Sequence, residues 1–265
     1  MTDKPSIARA DLIAGMAKGL AVLESFDTER QRLNATLAAQ RAGLSRAAAR
    51  RHLLTLAHLG YLESDGSYFW LSPRVLRLSG SYLSSARLPR VLQPTLTRLA
   101  QQTRASFSAV VLDADEVVIV ANSGQGFDLA PAAATRLLAY GLHLGARLPA
   151  HATSTGRVLL AARSRTELAA WLKGRVFPRL TAHTTTGARA LRSVLEQVRL
   201  DDHCLASEEH EVGVHAVAVA LRNMQGQAVA ALNVVLPGAC TEPQRTLHQW
   251  LPPLQQAARE LRPLV

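Results

Sequence analysis

The chain has 265 residues, 48% hydrophobic and 19% charged, which suits a folded protein of about two domains and excludes a disordered or fibrous one. Its 30 Lys and Arg against 20 Asp and Glu give a net charge of +10, which favours a polyanionic partner such as nucleic acid. No apolar run reaches the roughly 18 residues of a membrane helix, no signal peptide is evident, and Cys204 and Cys240 form no CxxC pair, so we predict a cytoplasmic protein without a thiolate metal centre.

The basic excess is concentrated near the N-terminus. The first 103 residues carry 14 basic and 7 acidic side chains. A phosphate backbone is the obvious partner for such a surface, although a solvated arginine-rich surface has the same composition. Local sequence patterns must therefore decide between a phosphate-binding surface and a merely solvated one.

The N-terminal elements follow the order of a winged helix-turn-helix. Apolar residues at helical spacing predict a first helix over residues 15 to 26. Asn34 is placed to cap a short helix that ends at Gly43, and Ser45 to cap a longer one that ends at Gly60. An Asp-Gly turn inside residues 61 to 71 then predicts a hairpin wing.

The second helix of this motif is the predicted recognition helix. Its first residues are placed to reach base edges in a major groove, and the wing to touch a neighbouring groove or phosphates. An ordinary solvated arginine face is the alternative for the helix taken alone. The predicted DNA contacts are Ser45, Arg46, Ala47, Arg50, Arg51, His52 and Tyr68.

Beyond the wing, helical segments from Pro73 to about Thr103 predict linker helices, with Pro89 interrupting between them. Strands, helices and further strands then predict an α/β (α+β) domain with a central antiparallel sheet, of a kind that often holds a small ligand. The candidate strands are SFSAVVLD, EVVIVANSG, RLLAYGLHL, CLASEE, HAVAVAL and AVAALNVVL, and the candidate helices cover residues 153 to 163, 166 to 173, 188 to 200 and 243 to 261.

Small hydroxyl residues at a predicted helix start suggest an anion site in this domain. Thr153, Ser154, Thr155 and Gly156 offer backbone N–H groups and hydroxyls suited to a carboxylate, although plain helix capping explains them equally well. Because the chain has no phosphate-binding glycine loop, a small organic acid is favoured over a nucleotide. Tyr140, beside His143, is a candidate for packing against a ring; a core tyrosine is the alternative.

The stretch EEHEVGVH brings acidic and histidine side chains close together, but its two histidines are five residues apart, which does not fit HExxH. We therefore predict no metal. His215 near a sheet edge and Asn233 inside an apolar strand are instead candidates for contacting a bound acid. The alternative is that both side chains have only a structural role. Without a nucleophile motif or a convincing acid pair, we predict no enzyme and no cofactor.

Taken together, the motifs GLAVLESF, GLSRAAARRHLLTLAHLGYL, LPAHATSTGRVLLA, EVGVHAVAVAL and AALNVVLP resemble successive landmarks of the IclR family of bacterial transcriptional regulators. The SRAAARR helix and the HATSTGR segment are most similar to its regulators of aromatic-acid catabolism, including those for protocatechuate and 4-hydroxybenzoate. His215-Ala216 and Asn233-Val234-Val235 depart from some relatives, which argues against a glyoxylate-type pocket.

The resemblance implies a GAF/profilin-like effector domain, a dimer or dimer of dimers on an inverted-repeat operator, an aromatic carboxylic acid as effector, and RNA polymerase as a partner if the protein activates. The effector contacts that the resemblance implies are Thr153, Ser154, Thr155, Gly156, the strand around His215, and Asn233, and Tyr140 and His143 complete the predicted site from the residues alone. The expected divisions are a flexible tail over 1 to 14, the winged helix-turn-helix over 15 to 78, linker helices over 79 to 103 and the effector domain over 104 to 265.

Two alternatives remain open from the sequence. The first is a protein that binds DNA without sequence preference or effector. The second is a metal-dependent enzyme that uses Glu208, His210 or His215.

Overall fold

A computed structural model describes residues 7–8, 10–27, 30–124, 143–238 and 242–265. The chain divides into two units, Met1–Ser84 and Ser85–Val265. Tyr140 and most of the strand expected over residues 136 to 144 lie outside the described residues.

The first unit is a winged helix-turn-helix, as predicted. Its elements are α1 (Ala14–Leu23), α2 (Ala35–Ala42), α3 (Arg46–His58), β1 (Leu62–Ser64), β2 (Phe69–Leu71), a 3-10 turn (Pro73–Val75) and α4 (Leu76–Ser85). Asn34 accepts from two backbone N–H groups of α2, Gly43 ends that helix at φ 64°, and Ser45 Oγ accepts from the N–H of Ala48. These caps confirm the helix boundaries inferred from the sequence.

The core of this unit is formed where the three helices meet the wing. Val22 of α1, Leu53 of α3 and Phe69 of β2 are buried together, and Leu33 forms an additional backbone bridge to Phe69. Leu59 lies just beyond the last residue of α3 and is 49% exposed.

The second unit has a six-stranded antiparallel sheet. The strands are β3 (Ser106–Asp113), β4 (Glu116–Asn122), β5 (Arg147–Pro149), β6 (His203–Ser207), β7 (Val214–Arg222) and β8 (Ala228–Pro237), in the order β5-β4-β3-β8-β7-β6. The helices are α5 (Arg87–Thr103), α6 (Ser154–Ala161), α7 (Arg165–Leu172), α8 (Ala188–Asp201) and α9 (Pro243–Leu261). Pro89 does not precede α5 but lies in its first turn, where the missing N–H has no intrahelical acceptor to lose.

Helices cover both faces of the sheet, and strand alternation decides which residue faces which helices. In β7, Val217, Val219 and Leu221 pack with α5 and α9, whereas Ala218 and Ala220 pack with α6 and α8. This alternation fixes which polar side chains on the same strand can share a cavity.

None of the helices that the structure describes is long and apolar enough to span a lipid bilayer.

Candidate functional site

Three arginines near the start of α3 have no partner among the residues that the structure describes. Arg46, Arg50 and Arg51 are exposed, and within the described ranges their guanidinium groups make no hydrogen bond or ion pair. By contrast, Arg41 of the preceding helix pairs with Asp27 and donates from Nε to the backbone oxygen of Ser25 at 2.7 Å. Unpaired cations on an exposed helix face are available to phosphates and base edges.

The wing turn is held by Asp65. Its Oδ1 accepts backbone N–H groups from Tyr68 at 2.8 Å and Ser67 at 3.0 Å, and these hydrogen bonds lower the pKa of the carboxyl group. Tyr68 is 41% exposed and lies just before β2. The guanidinium of Arg32 pairs with Asp65 and lies over the rings of Tyr68 and Trp70, 5.8 and 4.6 Å from their centroids, so it holds the wing against the segment before α2.

The remaining predicted DNA contacts have different surroundings. The hydroxyl of Ser45 is engaged as the cap of α3, and Ala47 beside it is exposed. His52 is half-buried. The structure therefore places all seven predicted residues on α3, its cap and the wing.

In the second unit, a cavity lies between the sheet and the start of α6. Its space between atoms, including the mouth that opens to solvent, is about 610 Å³. Its apolar walls come from the sheet and the segment before α6. Its polar lining residues are Ser108, Thr153, Ser154, Thr155, Glu209, His210, Glu211 and Asn233.

The start of α6 forms the helix side of the cavity. Thr153 caps the helix: its Oγ1 accepts from Gly156 N at 3.2 Å and donates to the oxygen of Pro149 at 3.1 Å. Ser154 is 1% exposed, and its Oγ has no hydrogen-bond partner in the part of the chain that the structure describes. A buried hydroxyl beside the positive end of a helix dipole is suited to bind an anionic oxygen.

The sheet side of the cavity carries a paired serine and asparagine. Ser108 of β3 and Asn233 of β8 are register partners, both buried, and Ser108 Oγ donates to Asn233 Oδ1 at 2.5 Å. Directly opposed residues of an antiparallel pair point to the same face of the sheet, so both side chains reach the cavity.

An ion pair between α6 and the β6–β7 loop forms part of the wall. Arg157 pairs through both terminal nitrogens with the carboxylate of Glu209, and its Nε donates to the oxygen of His151 at 2.8 Å. The backbone N–H of Thr185 donates to the same carboxylate at 2.9 Å. Burial raises the pKa of Glu209, but its hydrogen bonds and the charge of Arg157 outweigh burial, so the net pKa is lowered. The Glu209 carboxylate in the cavity wall is therefore ionised at neutral pH.

The next residue of the loop, His210, also lines the cavity. Burial lowers its pKa, and the neighbouring His151 lowers it further. The imidazole is consequently neutral at pH 7 and adds a polar but uncharged group to the lining.

The cavity brings together four of the predicted effector residues, namely Thr153, Ser154, Thr155 and Asn233. His143 is exposed, its Nδ1 3.1 Å from the oxygen of Leu144, and is not among the described lining residues. Tyr140 is not described.

Gly156 and His215 are predicted effector residues that do not line the cavity. A Cβ on Gly156 would lie 2.2 Å from the backbone oxygen of Ala150, so this glycine permits close packing behind the cavity. Strand alternation turns His215 to the α5 and α9 face, opposite its neighbours Val214 and Ala216, which do line the cavity.

Sequence reasoning did not single out Ser108 or assign Glu209 to the cavity. Ser108 carries the same signal that identified Asn233, a polar residue inside an apolar strand. Across the described ranges, no group of three or more His, Cys, Asp or Glu side chains is placed to hold a metal ion, and this includes the stretch with Glu208, His210 and His215.

Comparison with known proteins covers both units. Residues 15–66 match the family profile of the IclR helix-turn-helix domain, and residues 80–262 that of the bacterial transcriptional regulator IclR C-terminal domain. The chain is 51% identical over 259 residues to the p-hydroxybenzoate hydroxylase transcriptional activator of Acinetobacter baylyi, covering 98% of this chain and 94% of that one. It is 48% identical over 261 residues to the Pca operon regulatory protein of the same organism, covering 98% and 92%.

A solved structure shares the fold of the second unit. It is the inducer-binding domain of a double mutant of the PobR transcription factor from Acinetobacter, in complex with 3-hydroxybenzoic acid. The TM-score is 0.59 at 44% identity, and the match covers 67% of this chain and 98% of that one.

Proposed function

This chain belongs to the IclR family of bacterial transcriptional regulators, and from that premise we propose that a hydroxybenzoate-class aromatic acid, bound in the cavity of the second unit, controls its binding to an operator. The observation that carries the proposal is the buried hydroxyl of Ser154, which has no partner in the described part of the protein and lines the cavity at the start of α6.

Operator binding is assigned to α3 and the wing. Arg46 and Arg50 lie at the start of α3, where a recognition helix meets base edges, and Arg51 flanks them. Ser45, Ala47, His52 and Tyr68 complete the proposed surface. The absence of intramolecular ion pairs for these arginines within the described residues supports the assignment, because none would have to be broken on binding DNA.

Acid binding is assigned to the helix side of the cavity. The backbone N–H groups of Ser154 and Thr155 open α6, where helical N–H groups lack intrahelical acceptors, and Ser154 Oγ adds a third donor. The ionised Glu209 disfavours a carboxylate close to itself, which directs the acid group to these donors. Apolar residues such as Val110 and Ile119 then face the ring. The names of the similar proteins support a hydroxybenzoate-class acid.

The assembly is also a proposal. A two-fold dimer, or a dimer of such dimers, would match an inverted-repeat operator, with RNA polymerase as a further partner if the protein activates. The helical segments of residues 73 to 103 would transmit the response. The acid shifts DNA affinity only by its differential affinity for the two states, typically about 1 to 3 kcal/mol.

The test is fluorescence anisotropy of a labelled duplex from the intergenic DNA beside the gene, at a stated salt concentration, with and without 4-hydroxybenzoate, 3-hydroxybenzoate and protocatechuate. A scrambled duplex of equal length is the control. Tight, sequence-selective binding that one acid alters supports the proposal. Weak binding that depends neither on the DNA sequence nor on the acid would overturn the proposal. The protein would then be one that associates with DNA nonspecifically.

A further inference from the structure

We propose that Ser108, paired with Asn233, makes the cavity selective for aromatic acids with a ring hydroxyl group. This inference rests on the proposed function, because it concerns the same cavity. It assigns the sheet side of the cavity to the ring substituent and leaves the helix side to the carboxylate.

The hydrogen bond between Ser108 and Asn233 fixes the carboxamide. Ser108 Oγ donates to Asn233 Oδ1 at 2.5 Å, and both side chains are buried. The register pairs the two residues directly across β3 and β8, so their backbones hold the contact in place. With Oδ1 engaged, the Nδ2 group is the part of the carboxamide that is left to donate to a ligand.

The pair then offers one donor and one acceptor side by side. Asn233 Nδ2 is the donor, and the lone pairs of Ser108 Oγ are the acceptor. A phenolic hydroxyl satisfies both, since its oxygen accepts from Nδ2 and its proton goes to Ser108 Oγ. If the ring substituent were a second carboxylate, it would have no proton to donate to Ser108 Oγ. A methyl substituent could neither accept from Asn233 Nδ2 nor donate to Ser108 Oγ. Each would therefore leave a buried polar group without a hydrogen bond.

Two of the other polar lining groups do not offer this combination. Glu209 is ionised, so its carboxylate can only accept, and its oxygens already accept from Arg157 and from Thr185 N. Thr153 Oγ1 is engaged on both sides as a helix cap. Ser108 and Asn233 are held together by a hydrogen bond at paired register positions, so they form a fixed donor and acceptor pair suited to recognise a hydroxyl group.

The experiment is isothermal titration calorimetry on the full chain with benzoate, 3-hydroxybenzoate and 4-hydroxybenzoate. The variants are Ser108→Ala, Ser108→Thr, which keeps the hydroxyl, and the control Ser123→Ala. Ser123 is also buried, but its Oγ accepts from Phe107 N at 3.0 Å and it does not line the cavity.

We expect Ser108→Ala to weaken the better-bound hydroxybenzoate by about tenfold and benzoate by less than about twofold, because only the hydroxylated ligand loses its partners. Ser108→Thr should restore the preference, and Ser123→Ala should change the affinities of all three acids by the same factor. Each variant's thermal transition reports whether it is folded. Ser108→Cys, close in shape and only a weak donor, replaces Ser108→Ala if the latter fails to fold, with the same selective loss expected.

An equal loss for benzoate and the hydroxybenzoates would overturn the inference and reduce Ser108 to a residue that shapes the cavity. No change for any acid would overturn it as well, while leaving the proposed function standing. If the wild-type chain binds none of the three acids, the proposed function itself fails, and this inference fails with it.

Discussion

Arg157 and Glu209 form a buried ion pair that joins α6 to the loop between β6 and β7. Their side chains are 3% and 13% exposed, and both terminal nitrogens of the guanidinium meet the carboxylate. Because Glu209 lines the cavity, this pair connects the stability of the second unit with the shape of its candidate binding site.

Replacing Arg157 with Met removes one partner and leaves a buried carboxylate uncompensated. We expect a loss of about 3 to 5 kcal/mol in the free energy of unfolding of the second unit at pH 7, measured by urea denaturation. The matched control is Arg98→Met, whose exposed pair with Glu260 should contribute less than about 1 kcal/mol. Equal losses in the two variants would contradict this account.

The same pair predicts an acid-labile contribution to stability. The pKa of folded Glu209 is lowered from its ordinary value of 4.5, so its stabilisation is fully present above that pH and is lost as the pH falls through the folded pKa. The difference in unfolding free energy between wild type and Arg157→Met should therefore be full at pH 7 and shrink as the pH falls below 4.5. A difference independent of pH would show that packing, not charge, dominates.

Gly156 is predicted to tolerate no side chain. A Cβ there meets the backbone oxygen of Ala150 at 2.2 Å, so Gly156→Ala must push α6 away from the preceding turn. We expect destabilisation of about 1 to 3 kcal/mol or more, together with weaker acid binding. Gly80→Ala, at a helical glycine with no atom within 4 Å, should instead stabilise by up to about 1 kcal/mol. Thermal melts of the two variants test the contrast.

Ser154→Ala should separate stability from binding. Removing a buried hydroxyl without a partner in the described residues should raise the unfolding free energy by about 1 kcal/mol. The affinity for the aromatic acid should fall by at least about tenfold, because a donor to the carboxylate is lost. Ser123→Ala, which breaks an existing hydrogen bond, should destabilise instead. Unchanged acid affinity in Ser154→Ala would place the carboxylate elsewhere.

Arg50→Ala should weaken operator binding by about 1 to 3 kcal/mol, or roughly 5-fold to 150-fold, and leave acid affinity unchanged. If Arg50 contacts a base, discrimination between operator and scrambled duplex falls; if it contacts a phosphate, both affinities fall together and the salt dependence becomes shallower. Arg192→Ala, an exposed arginine on α8 of the second unit, is the control and should bind the operator normally. Normal operator affinity in Arg50→Ala would remove Arg50 from the interface.

The sequence determined the local elements of this protein. Asn34, Gly43 and Ser45 mark helix ends because a cap is an interaction between residues a few positions apart. The Asp-Gly turn fixes the hairpin for the same reason, and patterns of apolar residues identified the long final helix and five of the six described strands of the second unit, all but Arg147–Pro149. Patterns among residues that are close in sequence were sufficient to predict the fold class and the position of the recognition helix.

Only the tertiary structure decided which polar residues meet. His215 and Ala216 are adjacent in sequence, yet strand alternation places Ala216 in the cavity and His215 on the opposite face. Arg157 forms an ion pair with Glu209, which is 52 residues away in sequence. Ser108 forms a hydrogen bond with Asn233, which is 125 residues away in sequence. Such pairs depend on sheet register and on how α6 packs against the sheet, and register is set by the burial of whole strand faces, not by neighbours along the chain.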